Sequence, residues 1–381
     1  MQILAISMPF RSLAAIRPEA EMLIGLHRGG DPVTLMTGLD TVYADRYSAA
    51  GVRLIEGVPR GRIDPRFMRQ VRRLLRETPF DIVYLFNNMA ICNTAFAAIG
   101  LPPVLVTYRG QTDNIHRFDP GSRLTHLHPR IDAICCVSNA VRDGLRRHVR
   151  HPDRVDTIYT GHDLAWYDET PTELETCGIP RGAFTVGCVA NDRPRKGVPV
   201  LIEALHRLPV ELPIHLLLVG QGMDRDQLAR HIHAGPAAAR IHCLGFRPDA
   251  PSLVAACSCS VLPALKREGL PKTVIESMAY GVVPIVTDTG GSAELVTDHE
   301  CGFVVPPGDS GAIANAILEV WRDPDSAARM GQAARRRLAD HFSLRGTIEQ
   351  TRRWFAELDA ANPRRPRSYA PAWPRKQKPA P

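Results

Sequence analysis

The stretch Ser260-Val261-Leu262-Pro263-Ala264-Leu265-Lys266-Arg267-Glu268-Gly269-Leu270-Pro271-Lys272-Thr273-Val274-Ile275-Glu276-Ser277-Met278-Ala279-Tyr280-Gly281, with Val283-Pro284-Ile285-Val286-Thr287 behind it, decides the fold. A short apolar run at 260–262 leads into a loop. A helical run at 273–280 follows and ends at Gly281, and a second apolar run begins at 283. Strand, loop, helix, strand is the repeating unit of a parallel sheet, whose crossovers need a helix.

Outward from it the same alternation fills the chain. Strand-like runs fall at 2–7, 33–37, 82–86, 104–108, 133–137 and 155–159, and again at 185–189, 215–219, 241–244, 260–262, 283–287 and 303–305. Helical patterns such as 198–207, 273–280 and 312–322 lie between them. This predicts an α/β protein of two doubly wound, Rossmann-like domains facing across a cleft, each sheet covered on both faces. The loop-rich stretch from Gly161 to Ala183 is the boundary, which divides the chain into 1–165 and 166–361. The final helix is free to pack back on the first domain. Residues 362–381 read as a basic, Pro-rich, disordered tail.

The composition, 44% hydrophobic and 23% charged, is that of a globular protein with material for two cores. The net charge of +7 is uneven: the tail carries six basic residues and no acid, which leaves +1 for the rest. The basic balance is thus a tail property and gives no reason to expect a nucleic-acid partner. No apolar run approaches the roughly 18 residues of a spanning helix, and no signal peptide is apparent. The nine cysteines lack metal-type spacing and read as buried thiols of a cytoplasmic protein.

The chemistry concentrates in loops that follow strands. Glu268 and Glu276 stand eight positions apart around a helix start. Pro271 suits the first helical position. The free N–H groups of Leu270, Lys272 and Thr273, with the Lys272 charge, make an anion site that suits a diphosphate. Gly269 allows the turn. Glu276, inside the helix, leans back toward that site and can accept from ribose hydroxyls. Glu268, before the turn, is repelled by phosphate and is better matched to sugar hydroxyls or developing positive charge. The loop Asn191-Asp192-Arg193-Pro194-Arg195-Lys196-Gly197 offers Arg193, Arg195 and Lys196 to the same diphosphate. Gly220, in Gly220-Gln221-Gly222, permits close backbone approach, and Phe246 can wall a nucleotide base. The bland alternative for each is a solvated charge, an ordinary turn or core packing.

These residues together resemble family 4 of the retaining glycosyltransferases, with the two-domain GT-B fold. The resemblance runs from about Val186 to Asp309. It rests on Arg195-Lys196-Gly197, Gly245-Phe246, Glu268 with Glu276-Ser277-Met278-Ala279-Tyr280-Gly281, Gly290-Gly291-Ser292-Ala293-Glu294-Leu295-Val296 and Gly302-Phe303-Val304-Val305-Pro306-Pro307-Gly308-Asp309. Cys136-Val137-Ser138 and Gly161-His162-Asp163-Leu164 extend it loosely into the first half. It implies sugar transfer from a nucleotide-diphosphate donor to a glycan, lipid-linked or small-molecule acceptor, with retained anomeric configuration. It implies no cofactor and no metal, and places such chemistry in cell-envelope or exopolysaccharide synthesis. In the family the first Glu contacts the donor sugar, the second contacts ribose, and a basic pair near Lys196 holds the diphosphate. The catalytic candidates are therefore Glu268, Lys196 and Arg193.

Three departures stand out. The family's Arg five residues before the Lys is Asn191 here, a charge that Arg193 or Arg195 can replace. The glycine-rich acceptor loop is replaced by Met8-Pro9-Phe10-Arg11 through Arg17-Pro18-Glu19, which offers Arg17 and Glu19. The family's first-domain His has Arg109 or His116 in its place. Asp224-Arg225-Asp226 and Asp323-Pro324-Asp325 have a metal-diphosphate shape but read as helix-start and turn acids. A nucleotide-sugar hydrolase or epimerase on the same fold, and a non-catalytic sugar-nucleotide-binding protein, are the alternatives. Finally, Arg66-Phe67-Met68-Arg69-Gln70-Val71-Arg72-Arg73-Leu74-Leu75-Arg76 is a basic amphipathic helix. It either packs on its own sheet or lies on an anionic membrane, at the inner face.

Overall fold

The computed structural model describes residues 1–9, 13–113, 115–224 and 226–364. Residues 10–12, Asn114, Arg225 and 365–381 lie outside the described residues. With them go Phe10 and Arg11 of the replaced acceptor loop, the centre of the 224–226 motif and most of the tail.

The first sheet holds β1 (Ile3–Ile6), β2 (Val33–Thr37), β3 (Arg53–Glu56), β4 (Ile82–Leu85), β5 (Val104–Arg109), β6 (Ala133–Cys136) and β7 (Val155–Thr157). The second holds β8 (Phe184–Val189), β9 (Ile214–Val219), β10 (Ile241–Cys243), β11 (Cys259–Leu262), β12 (Val283–Thr287) and β13 (Phe303–Val305). Both are parallel throughout, in the orders 3-2-1-4-5-6-7 and 10-9-8-11-12-13. Central strands such as β1, β4 and β12 are buried along their whole length. That is why they read as continuous apolar runs rather than alternating ones.

Each strand order reverses once, between β1 and β4 and between β8 and β11. At such a switch point the connecting helices leave to opposite faces, which opens a crevice at the carboxyl ends of the strands. The loops after β8 and β11 are those carrying Lys196 and Glu268.

The chain returns to the first domain through its last two helices. Helix Pro324–His341 packs on helix Lys272–Ala279 in the second domain. At Ser343 the chain pairs with His162 and crosses back. Helix Leu344–Ala360 then lies along helix Leu13–Arg28. Trp354 and Phe355 are buried in the first-domain core, and Trp354 Nε1 donates to Asp156 at 2.7 Å. A methyl on Gly25 would stand 2.2 Å from Ile348 Cδ1, so a larger residue there would require the Ile348 side chain to shift.

The basic helix Pro65–Glu77 uses its apolar stripe at home. Phe67, Val71, Leu74 and Leu75 are buried in the first-domain core. Arg72 donates to the carbonyls of Ala97 and Ile99 at 2.7 and 2.9 Å. The stripe is therefore closed to lipid, and only the arginine face meets solvent.

Candidate active site

The two loops at the second switch point are stitched together. A methyl on Gly197 would sit 2.0 Å from the Pro263 carbonyl oxygen, and Leu265 N–H donates to Arg195 O at 2.8 Å. Arg267 holds a left-handed φ of 66°, a strained conformation for a residue with a side chain. That turn sends Glu268 inward, where it is 4% exposed. Its Oε1 lies 2.9 Å from Lys196 Nζ and 3.1 Å from Arg195 Nη1. One carboxylate thus holds two cations side by side and leaves one unit of positive charge over.

The helix after this turn starts at Lys272, with Pro271 as the preceding cap rather than the first helical residue. Gly269, Leu270, Pro271, Lys272 and Thr273 line a cleft of about 870 Å³ with Lys196, Arg195 and Glu268. That volume lies within the range of small-molecule sites. Burial lowers the Lys272 ammonium pKa, against the pull of Glu276 and Glu19. Burial raises the Glu276 carboxyl to about 7, with Lys272 opposing and Glu169 assisting. Six cationic side chains line the cleft against three carboxylates, a balance that favours a polyanionic guest.

Gly220 and Phe246 complete this wall. Gly220 has φ 143°, and a methyl there would meet the Ala190 carbonyl at 1.9 Å. Phe246 is 74% exposed beside the cleft, a free apolar face for a base. Asn191 lines the cleft and accepts from Gln221 N–H at 3.3 Å, so it braces the glycine turn.

The opposite wall comes from the first domain and the linker. Gly110 O presses on Gly269, where a methyl would lie 2.0 Å away. Arg17 lines the cleft, with its guanidinium 5.0 Å from the Trp166 ring centre and a buried Nε without a hydrogen-bond partner. Glu19, expected beside it, is not among the residues lining the cleft: its Oε1 is buried without a hydrogen-bond partner, and burial raises its carboxyl to about 7 despite Ser7 and Lys272.

His162 went unassigned in the sequence. It lines the cleft at 5% exposure, with Nδ1 2.6 Å from Tyr167 Oη and a buried Nε2 without a partner. Burial, then Lys272, lowers it to about 3, so the ring is neutral and can hydrogen-bond a sugar hydroxyl. The Gly161-His162-Asp163-Leu164 motif was the available signal. Gln111, Tyr167 and Glu169 also line the cleft unforeseen.

Three more expected residues stand elsewhere. Arg193 is exposed and outside the cleft lining, so Arg195 is the cation beside Lys196. Its side chain leaves from the extended residue before the 194–196 turn. Arg109 donates to the carbonyls of Gln111 and Asp113 and braces its own loop. His116 is exposed, with its ring 6.0 Å from the His148 ring and its backbone N–H donating to Ser122 Oγ at 3.2 Å. Of the discounted acids, Asp323 caps a helix through Ser326 N–H at 2.8 Å. Among the described residues no group of three or more His, Cys, Asp or Glu is placed to hold a metal.

Two facing parallel-sheet domains, with a cationic cleft between their switch points, define the GT-B class of glycosyltransferase. Comparison with known proteins takes this to the family. A model described as Glycosyltransferase Family 4 matches residues 20–166, and one described as Glycosyl transferases group 1 matches residues 170–337. The chain is 29% identical over 284 residues to the phosphatidyl-myo-inositol mannosyltransferase of Mycolicibacterium smegmatis, covering 73% of this chain and 71% of that one. Among solved structures, a glycosyltransferase of Rickettsia africae matches with TM-score 0.79 and 19% identity, over 94% of this chain and 98% of that one. Anabaena HepE in complex with UDP matches at 0.76 and 22%, over 94% and 100%. The chain belongs to glycosyltransferase family 4, and it is a glycosyltransferase enzyme.

Proposed function

We propose that this enzyme moves a sugar from a nucleotide-diphosphate donor to an acceptor hydroxyl with retention at the anomeric carbon. The observation that carries this reading is the pairing of Arg195 and Lys196 beside the helix start at Lys272, with half-buried Glu276 one turn inside. The diphosphate binds the two cations and the N–H groups of the helix start. Ribose hydroxyls donate to Glu276, and the base rests on Phe246. The bond from the anomeric carbon to the diphosphate oxygen breaks as the acceptor oxygen bonds to that carbon. The acceptor proton passes to the departing diphosphate. Lys196, Arg195 and the helix dipole stabilise the charge that develops there, an effect worth about 2–4 kcal/mol per strong contact. Glu268 and His162 face the sugar. None of these steps calls on a metal or cofactor.

For the acceptor, we propose a lipid-linked molecule presented at an anionic membrane surface, in envelope or exopolysaccharide synthesis. No described helix is long and apolar enough to cross a membrane. What supports surface contact is the first sheet's carboxyl-edge loops. Ile63 is 63% exposed and Phe118 85% exposed, and the two loops adjoin, since a methyl built on Gly121 would lie 3.7 Å from Arg62 Nη1. Exposed apolar tips with an arginine close by suit an interface of acyl chains and anionic headgroups.

Incubation with a panel of UDP-, GDP- and ADP-sugars and lipid extracts, followed by product analysis, tests the reading. A glycosylated lipid with retained configuration is expected. Free sugar or an epimer as the sole product supports the hydrolase or epimerase alternative. Sedimentation with anionic liposomes tests the membrane contact, which Phe118→Ser should weaken.

A further inference from the structure

Glu294 does not line the cleft, yet its carboxylate reaches the other domain. It lies in the short helix Ser292–Leu295. Its Oε2 accepts from Asn139 N–H at 2.9 Å and its Oε1 from Ala140 N–H at 2.8 Å. Tyr159 Oη donates to Oε2 at 2.8 Å and accepts from Asn139 Nδ2 at 2.8 Å. Ser138 Oγ accepts from Val141 N–H at 3.3 Å. The first three N–H groups of helix Asn139–Arg146 are thus satisfied, two of them by a carboxylate from the other domain.

The same segment presses on the catalytic wall. A methyl on Gly290 would lie 1.9 Å from Glu268 O. One on Gly291 would lie 1.8 Å from Gly269 O and 2.8 Å from Ser138 Cβ. Gly269 in turn abuts Gly110 O. Arg337 ties the segment to its own domain by donating to Glu294 O at 2.9 Å and Leu295 O at 2.8 Å. A continuous row of close contacts therefore runs from the helix start at Asn139, through Glu294 and the two glycines, to the backbone of Glu268.

We propose that Glu294 is an interdomain latch. It is a positioning residue that touches no substrate. Its carboxylate caps the first-domain helix when the cleft is closed and sets the Glu268–Gly269 wall against Gly110. On opening, water takes over both N–H groups and the carboxylate. The latch therefore biases closure without locking it, as a step that admits donor and releases product requires.

The test uses the full-length variants Glu294→Gln and Tyr159→Phe. An amide cannot accept both N–H groups and carries no charge for the helix dipole. Small-angle scattering of Glu294→Gln is expected to show a larger radius of gyration than wild type. Donor turnover should fall about tenfold in kcat with KM changed less than about threefold. Tyr159→Phe should move both readouts the same way by less, and it carries the test alone if Glu294→Gln fails to fold. Wild-type scattering in both variants, or a lowered melting temperature with kcat intact, overturns the proposal. The scattering readout needs neither donor nor acceptor, so its failure is separable from failure of the donor assignment.

Discussion

Glu276 should make both stability and donor binding depend on pH. Its carboxyl is raised from 4.5 to about 7, chiefly by burial. The unfolded chain releases this proton near 4.5 while the native state keeps it. Stability is therefore lost as pH rises from about 4.5 to about 7 and is level above. A shift of this size corresponds to about 3 kcal/mol at 1.36 kcal/mol per unit. The side chain borders an open cleft, and solvent screening trims the cost to about 2 kcal/mol. Glu276→Gln should then be about 2 kcal/mol more stable than wild type at pH 8 and well under 1 kcal/mol more stable near pH 5. Urea unfolding at the two pH values reads this directly.

The ionised form is the one that accepts from ribose. Donor affinity should rise with pH through 7, and binding at pH 7 should release up to about half a proton. Calorimetry in two buffers of different ionisation enthalpy measures that release. A nucleotide sugar is the right titrant, because its diphosphate has no proton to lose near pH 7. Glu276→Gln should abolish most of the release and weaken binding about tenfold. Equal stability of variant and wild type at pH 8, with no proton release on binding, would refute the assignment.

Two more predictions concern the same wall. Glu268→Gln frees Lys196 and Arg195 from their carboxylate, so a nucleoside diphosphate should bind about fivefold tighter while sugar transfer falls at least tenfold. Unchanged affinity by calorimetry would mean that the cations do not meet phosphate. Gly269→Ala places a methyl 2.0 Å from Gly110 O, against backbone that cannot yield cheaply. Because the clash lies between domains, activity should vanish while the melting temperature falls only slightly. An active Gly269→Ala enzyme would contradict the close approach.

What was legible in the sequence followed from burial. Strands covered on both faces announce themselves as apolar runs, so β1, β8 and β12 and the helix at Val198–Arg207 were plain. β3 was not, because Arg53-Leu54-Ile55-Glu56 is an edge strand with both ends exposed. The second-domain site was legible because its parts are consecutive: Arg195 with Lys196, and Glu268 through Glu276. The first-domain side was not. Strand periodicity says where a loop begins but not where its side chains point, and Arg109 and His116 turned to their own neighbours. The pairing of Glu268 with Lys196 spans 72 residues, and that of Glu294 with Asn139 spans 155. Such contacts exist only once both sheets and both switch points are in place.

The central claim is that the pair Arg195 and Lys196, beside the helix start at Lys272, holds a nucleotide diphosphate. The most direct measurement is calorimetric titration of UDP, GDP and ADP into wild type and Lys196→Ala. At least one of the three should bind wild type, and Lys196→Ala should weaken it by about 1.5–3 kcal/mol, roughly ten- to a hundredfold. Equal binding by both proteins would contradict it.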